Sequence, residues 1–171
     1  MPASPTQELV VSCRCGSVAL KARAAPIVSA ICYCKDCQRG SREIAALPDA
    51  AAIQDPDGGT AYVAYRKDRV TLVKGAALLK SYKIEATSAT NRMVATCCNS
   101  AMLMSFDDGR HWVSMYRARF PEDAAPVQMR ICTRSRTATD PLPSDVPSSP
   151  SYPFRFIVKL IAARIAMMFH S

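Results

Sequence analysis

The sequence is poor in the side chains that most hydrolases and nucleic-acid readers depend on. It holds two histidines in 171 residues, His111 and His170, and shows no Ser/His/Asp arrangement that would make a hydrolytic triad. His111, beside Trp112, reads as a packed or surface residue, and His170 as an exposed one. Aromatic residues amount to 7% and are not interleaved with the basic ones, which argues against the stacking platforms that bind single-stranded nucleic acid. There is no phosphate-binding glycine loop and no internal repeat. Met1 to Glu8 has neither a basic n-region nor an apolar h-region, so no signal peptide is expected and a reducing, cytoplasmic setting is. The apolar run near the end, residues 154–169, is too short and too charged for a transmembrane span.

What remains is a globular composition, 49% hydrophobic and 21% charged, on a chain long enough for one domain with a real core. Its net charge of +8 suits an anionic partner, or no more than a basic surface.

The chain is unusually rich in cysteine, with eight. Ile31-Cys32-Tyr33-Cys34-Lys35-Asp36-Cys37-Gln38-Arg39 packs three of them into six residues. Core packing does not call for thiols so close together. Chelation does, because thiolates two and three residues apart converge on one soft or borderline ion. Cys13 and Cys15 precede this triplet, and Cys97 and Cys98 follow it. A reducing compartment and the i, i+2 spacing disfavour disulfides. Seven thiols in three groups suit one closed four-ligand metal site and one three-ligand site with an open position. Closed sites are structural, whereas open ones admit a substrate. Lys35, Arg39 and Arg42 are placed to offset the charge of three thiolates or to hold a substrate carboxylate. Cys132 stands outside the pattern and reads as a buried or incidental free thiol.

Along the chain, residues 1–7 read as a loose tail. Residues 8–12 and 17–22 read as strands of a hairpin with Cys13 and Cys15 at its tip, where Gly16 can take positive φ. Lys35 to Arg39 is expected to make one helical turn ending at Gly40, with irregular structure over 43–56. A turn at Asp57-Gly58-Gly59-Thr60 precedes residues 61–66 and 69–74, which read as a second hairpin. Strands follow at 78–84, 92–95, 102–106 and 111–116. The zinc-binding domain is expected over 8–120, a Pro/Ser-rich linker over 121–153, and an amphipathic C-terminal helix over 154–171. That helix is read either as docked on its own domain or a second subunit, or as lying on an anionic membrane surface.

Cys13-x-Cys15-Gly16-x-Val18, Cys32-Tyr33-Cys34-x-x-Cys37-Gln38, Gly75-x-x-Leu78-Leu79-x-x-Tyr82 and the cysteine-bearing turn after an Arg-led strand together resemble the glutathione-dependent formaldehyde-activating enzyme (GFA) family, also called the CENP-V/GFA domain. The resemblance covers residues 8–116. It implies a mainly β, Mss4-like (GFA-type) zinc-binding fold with short helical turns, to which the C-terminal helix is added. It implies two Zn²⁺ ions: a structural one involving Cys13 and Cys15, and a reactive-site one on Cys32, Cys34 and Cys37. It also implies a carbon–sulfur lyase that condenses formaldehyde with glutathione to S-hydroxymethylglutathione.

The family's last C-x-x-C-G reads here Ala95-Thr96-Cys97-Cys98-Asn99. Asn is among the residues most able to replace Gly at positive φ, so Cys98-Asn99 aligns with the final Cys-Gly. Adjacent residues of an extended chain face opposite ways, so the structural site is either a strained four-thiolate set or a three-thiolate one without Cys97. The Cys-Cys pair marks a separate branch, which loosens the link to glutathione. Two other functions compete: a non-catalytic zinc scaffold that uses the basic tail and terminal helix for membrane-surface contact or self-association, and, more weakly, nucleic-acid binding.

Overall fold

The computed structural model describes residues 8–122 and 124–169. The expected tail at 1–7 and His170 lie outside them. The chain is mainly β. It runs β1 (Glu8–Ser12), β2 (Ala19–Arg23), β3 (Val28–Cys32), α1 (Lys35–Ala45), β4 (Thr60–Arg66), β5 (Val70–Lys74), β6 (Leu79–Tyr82), β7 (Thr90–Ala95), β8 (Ser100–Phe106), β9 (Trp112–Tyr116), β10 (Met129–Ile131) and α2 (Phe154–Phe169).

Two sheets form among the described residues: β1-β2-β5, and β10-β3-β4-β9-β8-β7-β6. In the larger one β10 pairs in parallel with β3, and every other ladder is antiparallel. Alternation along β4 divides the core, because successive side chains of a strand leave opposite faces. Tyr62 and Ala64 join Val28, Ile44, Met104 and Tyr116 in one apolar cluster, on the side of α1. Val63 and Tyr65 join Val11, Leu20, Met102 and Met115 in the other, against the three-stranded sheet. The large sheet is thus sandwiched between helices and the small sheet.

Three expectations are corrected. Residues 61–66 and 69–74 are not hairpin partners. A short 3-10 turn at Lys67–Arg69 carries the chain from one sheet to the other, so β5 pairs with β2 while β4 pairs with β3 and β9. The alternation was real, but it reported burial of each strand on a different sheet.

The helix after the triplet runs through Gly40 to Ala45 rather than stopping at a single turn. Cys37, Gln38, Ser41 and Ile44 form its buried stripe, at the spacing of one helical face. Gly40 is there for clearance: a Cβ at that position would run into the Arg92 guanidinium.

The stretch expected as a linker holds β10, and Arg130 in it is 6% exposed. Arg130 N–H donates to the Pro147 carbonyl at 2.8 Å, and its guanidinium pairs with Asp145 at 2.6 Å. The prolines preclude a long strand but leave enough donors to dock the segment on the sheet edge.

Helix α2 is docked along one side. Leu160 is buried and Phe156 packs on the core. His111, buried just before β9, donates from Nε2 to the Leu160 carbonyl at 2.8 Å. The other side exposes Phe154, Val158, Ile161 and Ile165. No helix among the described residues is long and apolar enough to cross a membrane.

Candidate metal centres and reactive cavity

Two groups of sulfurs converge. The first joins two turns. Cys13 and Cys15 lie in the β1–β2 turn, where Gly16 takes φ of 75°. Cys97 and Cys98 lie in the β7–β8 turn, where Asn99 takes φ of 48°. All four Sγ atoms lie within 4.8 Å of one another. Cys15 is 3.3 Å from Cys97, Cys13 is 3.6 Å from Cys15 and 3.8 Å from Cys97, and Cys97 is 4.0 Å from Cys98. Both adjacent cysteines face inward because they sit in a turn closed by Asn99, not in extended chain. Asn99 is held by a bond from Nδ2 to the Pro48 carbonyl at 2.8 Å.

Tetrahedral zinc with Zn–S near 2.3 Å places sulfurs about 3.8 Å apart. The donor set and its spacings therefore fit a zinc-like ion. Ser17, through its hydroxyl and amide, and then Cys97 bring the Cys15 thiol down to about 6. Against burial, the Ser100 hydroxyl and the Cys15 amide hold Cys98 below its ordinary value.

The second group is built at a strand-to-helix junction. Cys32 ends β3, Cys34 is the N-cap of α1, and Cys37 lies in its first turn; their sulfurs also lie within 4.8 Å of one another. The Cys34 sulfur accepts the Cys37 N–H at 3.4 Å. A helix N-terminus favours a thiolate. Hydrogen bonds from Cys32 and Cys37, helped by the Cys37 and Asp36 amides and opposed by burial, bring Cys34 down to about 3. The Cys37 thiol is pushed up to about 12: the Cys32 thiol opposes this, but the Cys34 sulfur and burial outweigh it. Cys32 is raised further by its bonds to Cys132, Cys34 and Cys37. Negative charge is thus favoured on Cys34 over its two neighbours, and three sulfurs are grouped for a thiophilic ion. This set also fits, with three donors.

The three cysteines line a cavity of about 410 Å³. Tyr62 and Arg92 line it too, together with Phe106, Arg110 and Trp112, and Tyr152, Phe156, Ile157 and Leu160 close it from the side of α2. Of the three cations expected near the triplet, Arg39 is instead exposed and paired with Glu43 and Glu85, and Lys35 and Arg42 are exposed.

The cavity's cations are ones that sequence reasoning missed. Arg110 lies 4.2 Å over the Phe106 ring. Arg92 is 1% exposed, and its Nη2 donates to the Asp36 carbonyl at 2.9 Å. Arg92 could have been found from strand alternation, since it shares the inward face of β7 with Val94. Cys132 is buried, as the sequence suggested, but it lies in one cluster with Cys32 and Cys37, which the sequence did not show.

A family model described as glutathione-dependent formaldehyde-activating enzyme matches residues 8–134. A solved structure of a Rhodobacter sphaeroides protein is similar at 14% identity and a TM-score of 0.49, covering 82% of this chain and 100% of that one. No curated protein matches.

Proposed function

The chain belongs to the glutathione-dependent formaldehyde-activating enzyme family, and on that basis we propose that it is a zinc-dependent enzyme of the carbon–sulfur lyase type. Its reaction joins, or in reverse parts, an aldehyde and a small thiol such as glutathione. The carbon–sulfur bond forms as the thiol proton passes to the carbonyl oxygen, giving an S-hydroxyalkyl adduct. In this reading Cys32, Cys34 and Cys37 are the reactive set. Cys13, Cys15, Cys97 and Cys98 hold a structural ion. The protein works in the cytoplasm and does not bind nucleic acid.

The observation that carries the reading is a three-sulfur group opening into a half-open cavity of about 410 Å³. A zinc ion on three thiolates supplies a binding position and enough charge to ease deprotonation of an incoming thiol. The chain's own residues do the rest. Cys34 at the helix N-terminus is the first sulfur to carry charge. Arg92 and Arg110 offset the negative charge of the thiolates and attract an anionic substrate group. Phe106, Trp112 and the inner edge of α2 exclude water from the joined carbon and sulfur.

The exposed apolar face of α2, flanked by Arg155, Lys159 and Arg164, favours a second reading as a zinc scaffold that meets a membrane surface or another copy through that helix.

One experiment separates the two. Metal stoichiometry on wild type and Cys34→Ser should fall from two to one. Glutathione titrated into cobalt-substituted wild type should perturb the second centre's absorption. An unchanged count removes the triplet as a ligand set, and a silent titration leaves the scaffold.

A further inference from the structure

We propose that Cys132 is the fourth sulfur of the reactive centre, delivered by β10, so that the resting site is closed by a ligand that a thiol substrate must compete with. This rests on the reading of Cys32, Cys34 and Cys37 as a metal site.

Three observations converge on it. The first is register. β10 runs parallel to β3 with Ile131 level with Cys32, and Tyr33 N–H donates to the Ile131 carbonyl at 3.1 Å. The next residue, Cys132, is therefore delivered at the end of β3 where the triplet begins.

The second is backbone conformation. Cys132 takes φ of 58°, a left-handed conformation that residues other than Gly, Asn and Asp seldom adopt and that persists where the surroundings enforce it. Its carbonyl accepts the Ser135 N–H at 3.1 Å, and its own N–H meets the Ser151 carbonyl at 3.4 Å. The turn fixes where the side chain leaves the chain.

The third is contact. Cys132 is 7% exposed and packs in one cluster with Cys32 and Cys37. Three sulfurs cannot close a tetrahedron, and a fourth is buried in the same cluster as Cys32 and Cys37. Cys132 is not among the three that lie mutually within 4.8 Å, so closure requires its sulfur to move in toward them.

Tyr152 gives the arrangement its functional sense. It lines the cavity and directly follows Ser151, whose carbonyl meets the Cys132 N–H, so a molecule entering the cavity meets the segment that holds the fourth ligand. With an ion held by the triplet, a thiol that took the fourth position would release Cys132 as a thiol, the proton lost by one sulfur being gained by the other.

The test is made on the full chain. Cobalt-substituted wild type is compared with Cys132→Asn and Cys132→Asp, two nearly isosteric residues that both tolerate the left-handed backbone and differ in ligating power. With Asn, two metals should stay bound, one thiolate's share of the charge-transfer absorption should vanish, and release of the second metal to a chelator should quicken by about 10-fold or more, a scale on which even outer-shell partners act. Asp should restore slow release without restoring the lost absorption. Cys34→Ser runs alongside. If it loses its metal while the Asn variant matches wild type in absorption and release, Cys132 is not a ligand and the triplet reading stands. If Cys34→Ser keeps both metals, the triplet reading falls and the proposal with it.

Discussion

The two sulfur groups use the same side chain and differ in almost everything else. The four-sulfur group joins the β1–β2 turn to the β7–β8 turn, that is, the small sheet to the large one, and Cys13 and Cys97 are 84 residues apart. Two of its members, Cys15 and Cys97, are exposed. The three-sulfur group comes from one continuous segment, has two buried members and lines a half-open cavity. An ion in the first closes a long loop and ties two sheets together, and its binding energy becomes folding energy. An ion in the second ties only a strand end to the helix that follows it, which local structure already joins. The difference teaches that ligand connectivity, as much as ligand number, divides structural from reactive work.

The largest effect should come from breaking that division at its structural end. Cys13 is 3% exposed, and its sulfur also accepts the Val18 N–H at 3.2 Å. Cys13→Ser should lower the stability of the metal-loaded protein by about 3 kcal/mol or more, roughly 10 °C in melting temperature. Cys34→Ser should lower it by less than half as much. Thermal melts of both variants decide the point. Equal losses would mean that both ions are structural and would remove the asymmetry on which the functional reading depends.

The asymmetry was partly legible in the sequence. The grouping 13/15, 32/34/37 and 97/98 could be read from spacing, because chelating sulfurs must be close in three dimensions and turns keep them close in sequence. Whether Cys97 and Cys98 both face inward could not, since that depends on the turn Asn99 closes. Cys132 was illegible for a different reason. Its place near Cys32 comes from a parallel ladder whose partners, such as Ile131 and Cys32, lie 99 residues apart, and no local pattern announces one. The prolines of 121–153 pointed the other way, toward a free linker. The β4–β5 error has the same origin: alternation tells that a strand is half buried, not which sheet buries it. The roof that α2 puts over the cavity lies beyond the family match, which ends at residue 134, so family resemblance could not supply it either.

The reactive side of the comparison can be sharpened at Gly40. By helix propensity alone, Gly40→Ala should stabilise α1 by roughly 1 kcal/mol. The Arg92 guanidinium occupies the space the methyl group needs, and Arg92 cannot shift without giving up its bond to the Asp36 carbonyl within the triplet's own segment. Overpacking of this kind costs about 1–3 kcal/mol. The net expectation is a loss of stability together with weaker retention of the second metal and unchanged retention of the first. Denaturant melts and chelator release measure both. A stabilised variant with both metals held as before would show that Arg92 moves freely and has no part in shaping the reactive centre.

The smallest effect concerns the roof. Burial holds the His111 imidazole below its ordinary range, and the Arg164, Lys67 and Arg66 charges add to this against its bond to the Leu160 carbonyl. A lowered folded pKa means that the unfolded chain binds the proton more readily, so stability rises with pH where the two states differ. The His111 contribution is complete above the unfolded value of about 6.5 and is lost as pH falls through the lower folded value. Its ring lies 5.0 Å from that of Trp112, which lines the cavity, so tryptophan fluorescence reports the contact. Wild type taken from pH 7.5 to 5 should show a fluorescence change and faster alkylation of Cys34 as α2 loosens. His111→Gln keeps a donor for the Leu160 carbonyl but does not titrate, and it should lose the pH-dependent part of both signals. Other groups titrate in that range, the cysteines among them, so the difference between the two proteins carries the result. If the two profiles coincide, the histidine does not govern the roof, and access to the three-sulfur centre is set by the apolar contacts of Phe156 and Leu160 alone.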